Sequence, residues 1–409
     1  MSVFARPSLA QSRLSRPFAL HPFQRRWWPA HAALLGALAL PLHAAELAEP
    51  VEGTDSEEVA PLVITTVAPR SPLTVVTDPR QPRQPVPASD GADYLKTIPG
   101  FAAVRSGGVN GDPVFRGMFG SRIKLLTNGG EMLGACPGRM DSPSSYISPT
   151  SYDRLTVIKG PQTVLWGPGA SAATVLFERD PEQFSEPDWR LNTSLLAGSN
   201  GRFDRSIDAA AGSQDGYARV LANRSQADDY EDGNGDTVPS RFDKWNSDVA
   251  LGWTPDANTL LELTAGKGDG ESRYAGRGMD GTQFERESLG LRFKKEYIGE
   301  VFHGIEANVY YNYADHVMDN FRLRSPDPAA SMAMMRNPMA SEVDRRTLGG
   351  RIAGTWRWDA VELVGGVDAQ RSEHRKRAST FNMMTRSYID ADQYAWNKDA
   401  DTHNYGLFG

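Results

Sequence analysis

The chain holds one cysteine in 409 residues, and it stands four positions before a methionine in Cys136-Pro-Gly-Arg-Met140. A thiolate and a thioether brought close by a Pro/Gly turn form a soft donor pair, and softness selects copper(I) over hard cations. By itself the pair is open to a plainer reading, a small packed thiol beside an unrelated methionine. A second soft pair lies far along the chain, in His316-Val-Met318. Alternate residues of a strand share a face, so His316 and Met318 point the same way. Their row also holds Asn308, Tyr310, Asn312, Ala314 and Asn320, which is largely polar. The opposite row begins with Val309, Tyr311 and Tyr313. Cys, Met, His and Met together make a plausible copper set, although an isolated His-x-Met is equally an ordinary pore-lining pair.

Other chemistry is not supported. Asp232-Gly-Asn-Gly-Asp236 is similar to a calcium loop, but Thr237 stands where the turn glycine is needed. No G-x-x-x-x-G-K-[ST] phosphate cradle occurs. No nucleophile elbow with Ser, His and Asp partners is found, so the chain does not read as an enzyme.

The elements that would position these residues follow from the address of the protein. Residues 1–44 carry Arg6, Arg13, Arg16, Arg25 and Arg26 and no acidic residue, then the nine-residue apolar run Ala32–Leu40 and small residues near Ala44. That is the pattern of a secretory signal peptide. The run is far short of the ~20 residues a spanning helix needs. Loss of the leader takes the formal charge from −7 to −12, which leaves no electrostatic case for nucleic-acid binding. No later window is apolar enough for a membrane helix, so an exported chain of this kind is soluble or a closed β-barrel.

Residues 45–88 form a tail. It contains an acidic stretch, the β-prone run Leu62-Val-Ile-Thr-Thr-Val67 and a proline-rich linker from Pro69 to Pro87. A short apolar strand between loose segments suits addition to a partner's sheet edge. Residues 89–182 alternate short helix, strand and glycine turn. Ser89-Asp90 caps a helix through Asp93–Thr97, and Asn128-Gly129 marks a tight turn. From 183 to 409 the texture is of roughly ten-residue segments alternating in polarity, with Tyr and Trp near their ends, as a transmembrane β-barrel requires. A secreted β-sandwich would show similar alternation.

The glycine-punctuated segments decide between them. Arg116-Gly117, Asn128-Gly129, Leu155-Thr-Val-Ile-Lys-Gly-Pro161 and Leu165-Trp-Gly167 resemble the plug domain of TonB-dependent outer-membrane receptors. Two positions depart mildly: Asn128 replaces the usual acidic residue and Trp166 the usual tyrosine. The resemblance implies an α+β plug followed by an antiparallel transmembrane β-barrel. It also implies a TonB box at Leu62, Val63, Ile64, Thr65, Thr66 and Val67, a TonB partner, outer-membrane lipid around the wall and no enzymatic role. A plugged barrel takes about 22 strands, whereas 183–409 supplies about ten. The barrel is therefore expected to be incomplete in this chain, which reads as an N-terminal portion.

Residues 61–409 resemble more closely the TonB-dependent copper receptors. Their hallmark is a CxxxM pair on the plug joined by an HxM pair on the wall, here Cys136, Met140, His316 and Met318. The resemblance implies copper, as Cu(I) or Cu(II), imported to the periplasm. It further implies a methionine relay, for which Met332, Met334, Met335 and Met339 are candidates, with Met279, Met383 and Met384 weaker. Two alternatives stay open: a receptor for a siderophore or chelated metal, and an exported copper-sequestering protein without transport.

Overall fold

The computed structural model describes residues 73–167 and 170–409. The expected signal peptide and the Leu62–Val67 strand lie outside the described residues. The first part of the described chain runs β1 (Thr74–Thr77), α1 (Gly91–Leu95), β2 (Phe101–Val104), β3 (Asp112–Phe115) and β4 (Met118–Phe119). It continues with β5 (Ile123–Thr127), β6 (Gly130–Glu131), β7 (Arg154–Lys159) and β8 (Ala173–Glu178).

Helix α1 starts where expected, because the Asp90 carboxylate accepts the Asp93 N–H at 2.7 Å and satisfies an end donor. It ends at Leu95 with Lys96 as its cap, two residues short of the expected Thr97, and the chain then turns at Gly100, whose φ of +98° other residues avoid. A five-stranded sheet in the order β1-β7-β8-β5-β6 packs on this helix. Its core includes Leu95, Ile98, Phe115, Ile147, Leu155, Val157, Val175 and Phe177, all almost wholly buried. One boundary moves: Thr74–Thr77 pairs with Leu155–Ile158, so the plug sheet begins inside the segment read as a linker and ahead of residue 89. Val/Thr propensity and a free sheet edge outweigh the flanking prolines there.

The remainder builds a wall. Its strands are β9 (Asp188–Ala197), β10 (Phe203–Ser213), β11 (Gly216–Ala227), β14 (Phe242–Asp256) and β15 (Thr259–Ser272), with the small hairpin β12 (Tyr230–Glu231) and β13 (Thr237–Val238) set between β11 and β14. Then come β16 (Asp280–Glu296), β17 (Phe302–Asp319), β18 (Ala340–Trp358), β19 (Val361–Ala378), the hairpin β20 (Thr380–Asn382) and β21 (Ser387–Ile389), and β22 (Asn397–Phe408). The ten long strands pair antiparallel in chain order, and among the described residues the sheet stays open at β9 and β22.

The wall is polar inside and apolar outside. Leu195, Leu251, Leu289, Val309, Leu348 and Ile352 are exposed on its outer face, while Asn246, Asp248, Arg286, Asn308 and Asn312 are buried against the plug. This is the inversion that a strand in lipid needs. Trp189, Trp253, Tyr297 and Trp358 are exposed at strand ends, where a membrane interface holds aromatics.

Plug and wall meet through charges and a close backbone approach. Arg179 of the plug reaches Asp248 at 3.0 Å, and Arg286 joins the same carboxylate at 2.8 Å. Arg219 of the wall bridges Asp153 of the plug and Asp208 of its own sheet at 2.7 and 2.8 Å. The Asn128-Gly129 turn has both residues at positive φ, as a type I′ hairpin demands. It sets Gly130 flush on the wall: a Cβ there would lie 2.9 Å from the Tyr310 ring. Gly130→Val should therefore destabilise plug docking by about 1–3 kcal/mol, the usual overpacking cost. Faster limited proteolysis within residues 73–167 is the expected result, and unchanged protection would contradict it.

Candidate metal site

Cys136-Pro-Gly-Arg139 forms a turn closed by the Arg139 N–H donating to the Cys136 carbonyl at 2.9 Å. Arg139 sits at φ +54°, a conformation uncommon outside glycine. Its guanidinium donates two hydrogen bonds to the Asp112 carboxylate, from Nε to Oδ2 and from Nη2 to Oδ1, the latter at 2.7 Å. Met140 follows the turn, and both donors fall in one apolar cluster.

Asp141 organises the segment from behind. One carboxylate oxygen accepts the Cys136 N–H and the other the Ala135 N–H, both at 2.7 Å; the second also accepts the Tyr146 hydroxyl at 2.7 Å. Burial and the Asp141 charge hold Tyr146 as the neutral phenol that makes this bond. Gly134 leaves the needed space, since a Cβ there would come within 2.1 Å of the Asp141 carbonyl oxygen. Tyr274 adds a strut, donating to the Met140 carbonyl at 2.9 Å and accepting from Asn110 at 2.9 Å.

Strand β17 brings the other pair. His316 is fully buried and Met318 is 8% exposed, on the same face as buried Asn308, Asn312 and Ala314. The inward face predicted from the period of two is the observed one. The Cys136 Sγ lies 3.6 Å from the Met318 Sδ, across 182 residues of sequence. The His316 Nδ1 lies 2.8 Å from the Gln283 carbonyl, so Nδ1 carries the proton and donates. Its Nε2 is buried and has no hydrogen-bond partner among the described residues. An imidazole fixed by one nitrogen with the other lone pair free and dry is the arrangement a metal ligand needs. Phe284 lies over the ring at 4.4 Å between centroids.

The same cluster takes in Met132, Met279, Met335 and Met339. Of the relay candidates, Met335 and Met339 thus reach the soft cluster, and Met332 is half exposed. Met334 belongs to the same turn, Ala333–Arg336. Asn320 ties that loop to the end of β17, donating to the Met335 and Asn337 carbonyls at 2.9 and 3.0 Å and accepting the Met339 N–H at 2.9 Å. Met383 and Met384 are exposed and stand outside the cluster. Met279, ranked low from sequence, packs within it. Met132 was missed, although its spacing of four before Cys136 was a signal. Asp141 was missed too, because nothing marks a carboxylate beside a motif as a backbone acceptor.

Burial pushes the Cys136 thiol above its ordinary value, and the Asp141 charge adds to this; N–H groups of Met140 and Gly138 oppose it in part. The apo site therefore holds a thiol at neutral pH. A soft metal binding the sulfur as thiolate displaces that proton, so apparent affinity should rise about tenfold per pH unit below the thiol pKa. Calorimetry in two buffers of different ionisation enthalpy should find one proton released per copper(I). No release would mean that the sulfur is not a ligand.

Comparison with known proteins shows what this architecture is similar to. Residues 69–174 match the model of the TonB-dependent Receptor Plug Domain. A solved structure described as the copper transporter OprC is 70% identical, with a TM-score of 0.82 over 85% of this chain and 53% of its own. The ferric enterobactin receptor PfeA of Pseudomonas aeruginosa shares the fold at 16% identity and TM-score 0.56, over 75% of this chain and 50% of its own. A hemin receptor of Yersinia enterocolitica is 25% identical over 158 residues, 37% of this chain and 23% of that receptor. The chain spans about half the length of these solved relatives. With a plug inside a wall that is apolar outside and polar within, the chain carries a TonB-dependent receptor plug domain at residues 69–174 and is similar in fold to the outer-membrane receptors named above.

Proposed function

We propose that this chain carries the metal site of a receptor that imports copper across the outer membrane, with Cys136 and Met140 binding from the plug and His316 and Met318 from the wall. The observation that carries the reading is the meeting of Cys136 Sγ and Met318 Sδ at 3.6 Å, with the Nε2 of His316, two residues along the same strand, buried and without a hydrogen-bond partner among the described residues. A set of three sulfurs and one imidazole in apolar surroundings favours copper(I) over magnesium, calcium or any cation that seeks oxygen. The 70% identity to a structure described as a copper transporter supports the same cargo. The likeness to siderophore and hemin receptors supports the fold alone, and a bare ion suits four inward donors better than a bulky chelate does.

Import needs the site to open. The ligands are split between two bodies, so displacing the plug parts one pair from the other and weakens binding by more than any single contact. TonB, engaging residues 62–67, would draw on the chain just ahead of β1, a four-residue strand at the edge of the plug sheet. Further along the plug, Asn110 and Asp112 brace Tyr274 and Arg139 around the Cys136–Met140 turn. Methionines 279, 335 and 339 would pass the soft ion inward from the loop side.

Cys136→Ala in the full-length receptor should weaken copper(I) binding by more than about tenfold, the lower end of what even an outer-shell change costs at a metal. Loss of TonB should abolish copper accumulation while leaving binding intact. Accumulation that ignores both changes would remove the importer reading, and accumulation sensitive to Cys136 but indifferent to TonB would instead favour sequestration without transport.

A further inference from the structure

We propose that His374 is a positioning residue that fixes Cys136 from the wall, an inference that rests on the reading of Cys136 as a copper ligand. His374 lies on β19, two strands from His316, and is 3% exposed. Its Nε2 stands 2.7 Å from the carbonyl of Ala135, the residue before the cysteine. Its Nδ1 is paired with the Asp399 carboxylate of β22, which also takes Lys376 at 3.0 Å.

Both neighbours of the ring are hydrogen-bonding oxygens, so the imidazole is held at each nitrogen, by Asp399 on the wall and by the Ala135 carbonyl on the plug. The arrangement repeats the logic by which a carboxylate orients a histidine on a metal, with a peptide carbonyl in the place of the ion. Asp141 already holds the Ala135 and Cys136 N–H groups from the plug side. His374 takes the one carbonyl between them. The peptide that carries the thiol is thereby clamped from both bodies, and its distance to Met318 depends on the wall as well as on the plug's own turn.

The test uses the full-length protein in detergent, with copper(I) affinity read by chelator competition and the sulfur count at copper by X-ray absorption. His374→Phe should bind copper(I) about tenfold more weakly or worse, the outer-shell range, and show one sulfur fewer. His374→Gln, whose amide N–H can reach the same carbonyl, should restore both. Wild-type affinity and sulfur count in His374→Phe would overturn the proposal. Should that variant not fold, Asp399→Asn leaves the ring and removes its anchor: weakened binding supports the clamp, and unaltered binding and sulfur count overturn it. Cys136→Ser separates the two layers. If it binds copper as wild type does, the ligand reading fails; if it loses binding while His374→Phe keeps it, only the clamp fails.

Discussion

A strand in lipid must turn its apolar side chains outward, which leaves its polar ones facing inward with no bulk water to share. The wall and most of its contacts with the plug answer that constraint. The inner face of the wall buries Asp248, Arg286, Arg219, Asn308 and Asn312, and each needs a partner, because an unpaired buried charge costs several kcal/mol. The plug supplies many of them: Arg179 for Asp248, Asp153 for Arg219, the Glu131 carbonyl for Asn312. The plug is thus bound in large part by polar groups. Such contacts can be exchanged for water, whereas a greasy interface would resist separation.

The soft cluster is the exception inside this polar lining. Cys136, Met140 and Met318 sit with Tyr274, Phe284 and Val343 in an apolar island. These surroundings offer a hard cation no oxygen donors to replace its water, and the His316 Nε2 is buried with no hydrogen-bond partner among the described residues. The polar groups that remain at the island's edge face the backbone. Asp141 spends both oxygens on main-chain N–H groups and a phenol, so its charge shapes the turn and raises the thiol without occupying a ligand position.

Much of this was legible in the sequence, for local reasons. Glycine and Asn-Gly turns fall where the backbone needs positive φ, and alternation in β17 follows from strand geometry, so the plug motifs and the inward face of His316 and Met318 could be read directly. The strands β10 and β18 are hard to read from sequence, because their glycines, arginines and acids blur the alternation that lipid imposes on others. Thr74–Thr77 was hidden by its prolines, since whether a short run joins a sheet depends on an edge being free elsewhere.

What the sequence by itself determined is the kind of donor and the face it occupies: a thiol and thioether bracketing a tight turn, an imidazole and thioether two residues apart on a strand. Those are properties of a few consecutive residues. Which of them meet was decided only by the tertiary structure. The contact between Cys136 and Met318, the choice of Met132, Met279, Met335 and Met339 over Met383 and Met384, and the hold of His374 on Ala135 depend on strand register and on where the plug docks. Both are set by the pairing of distant polar groups, and no local pattern encodes that.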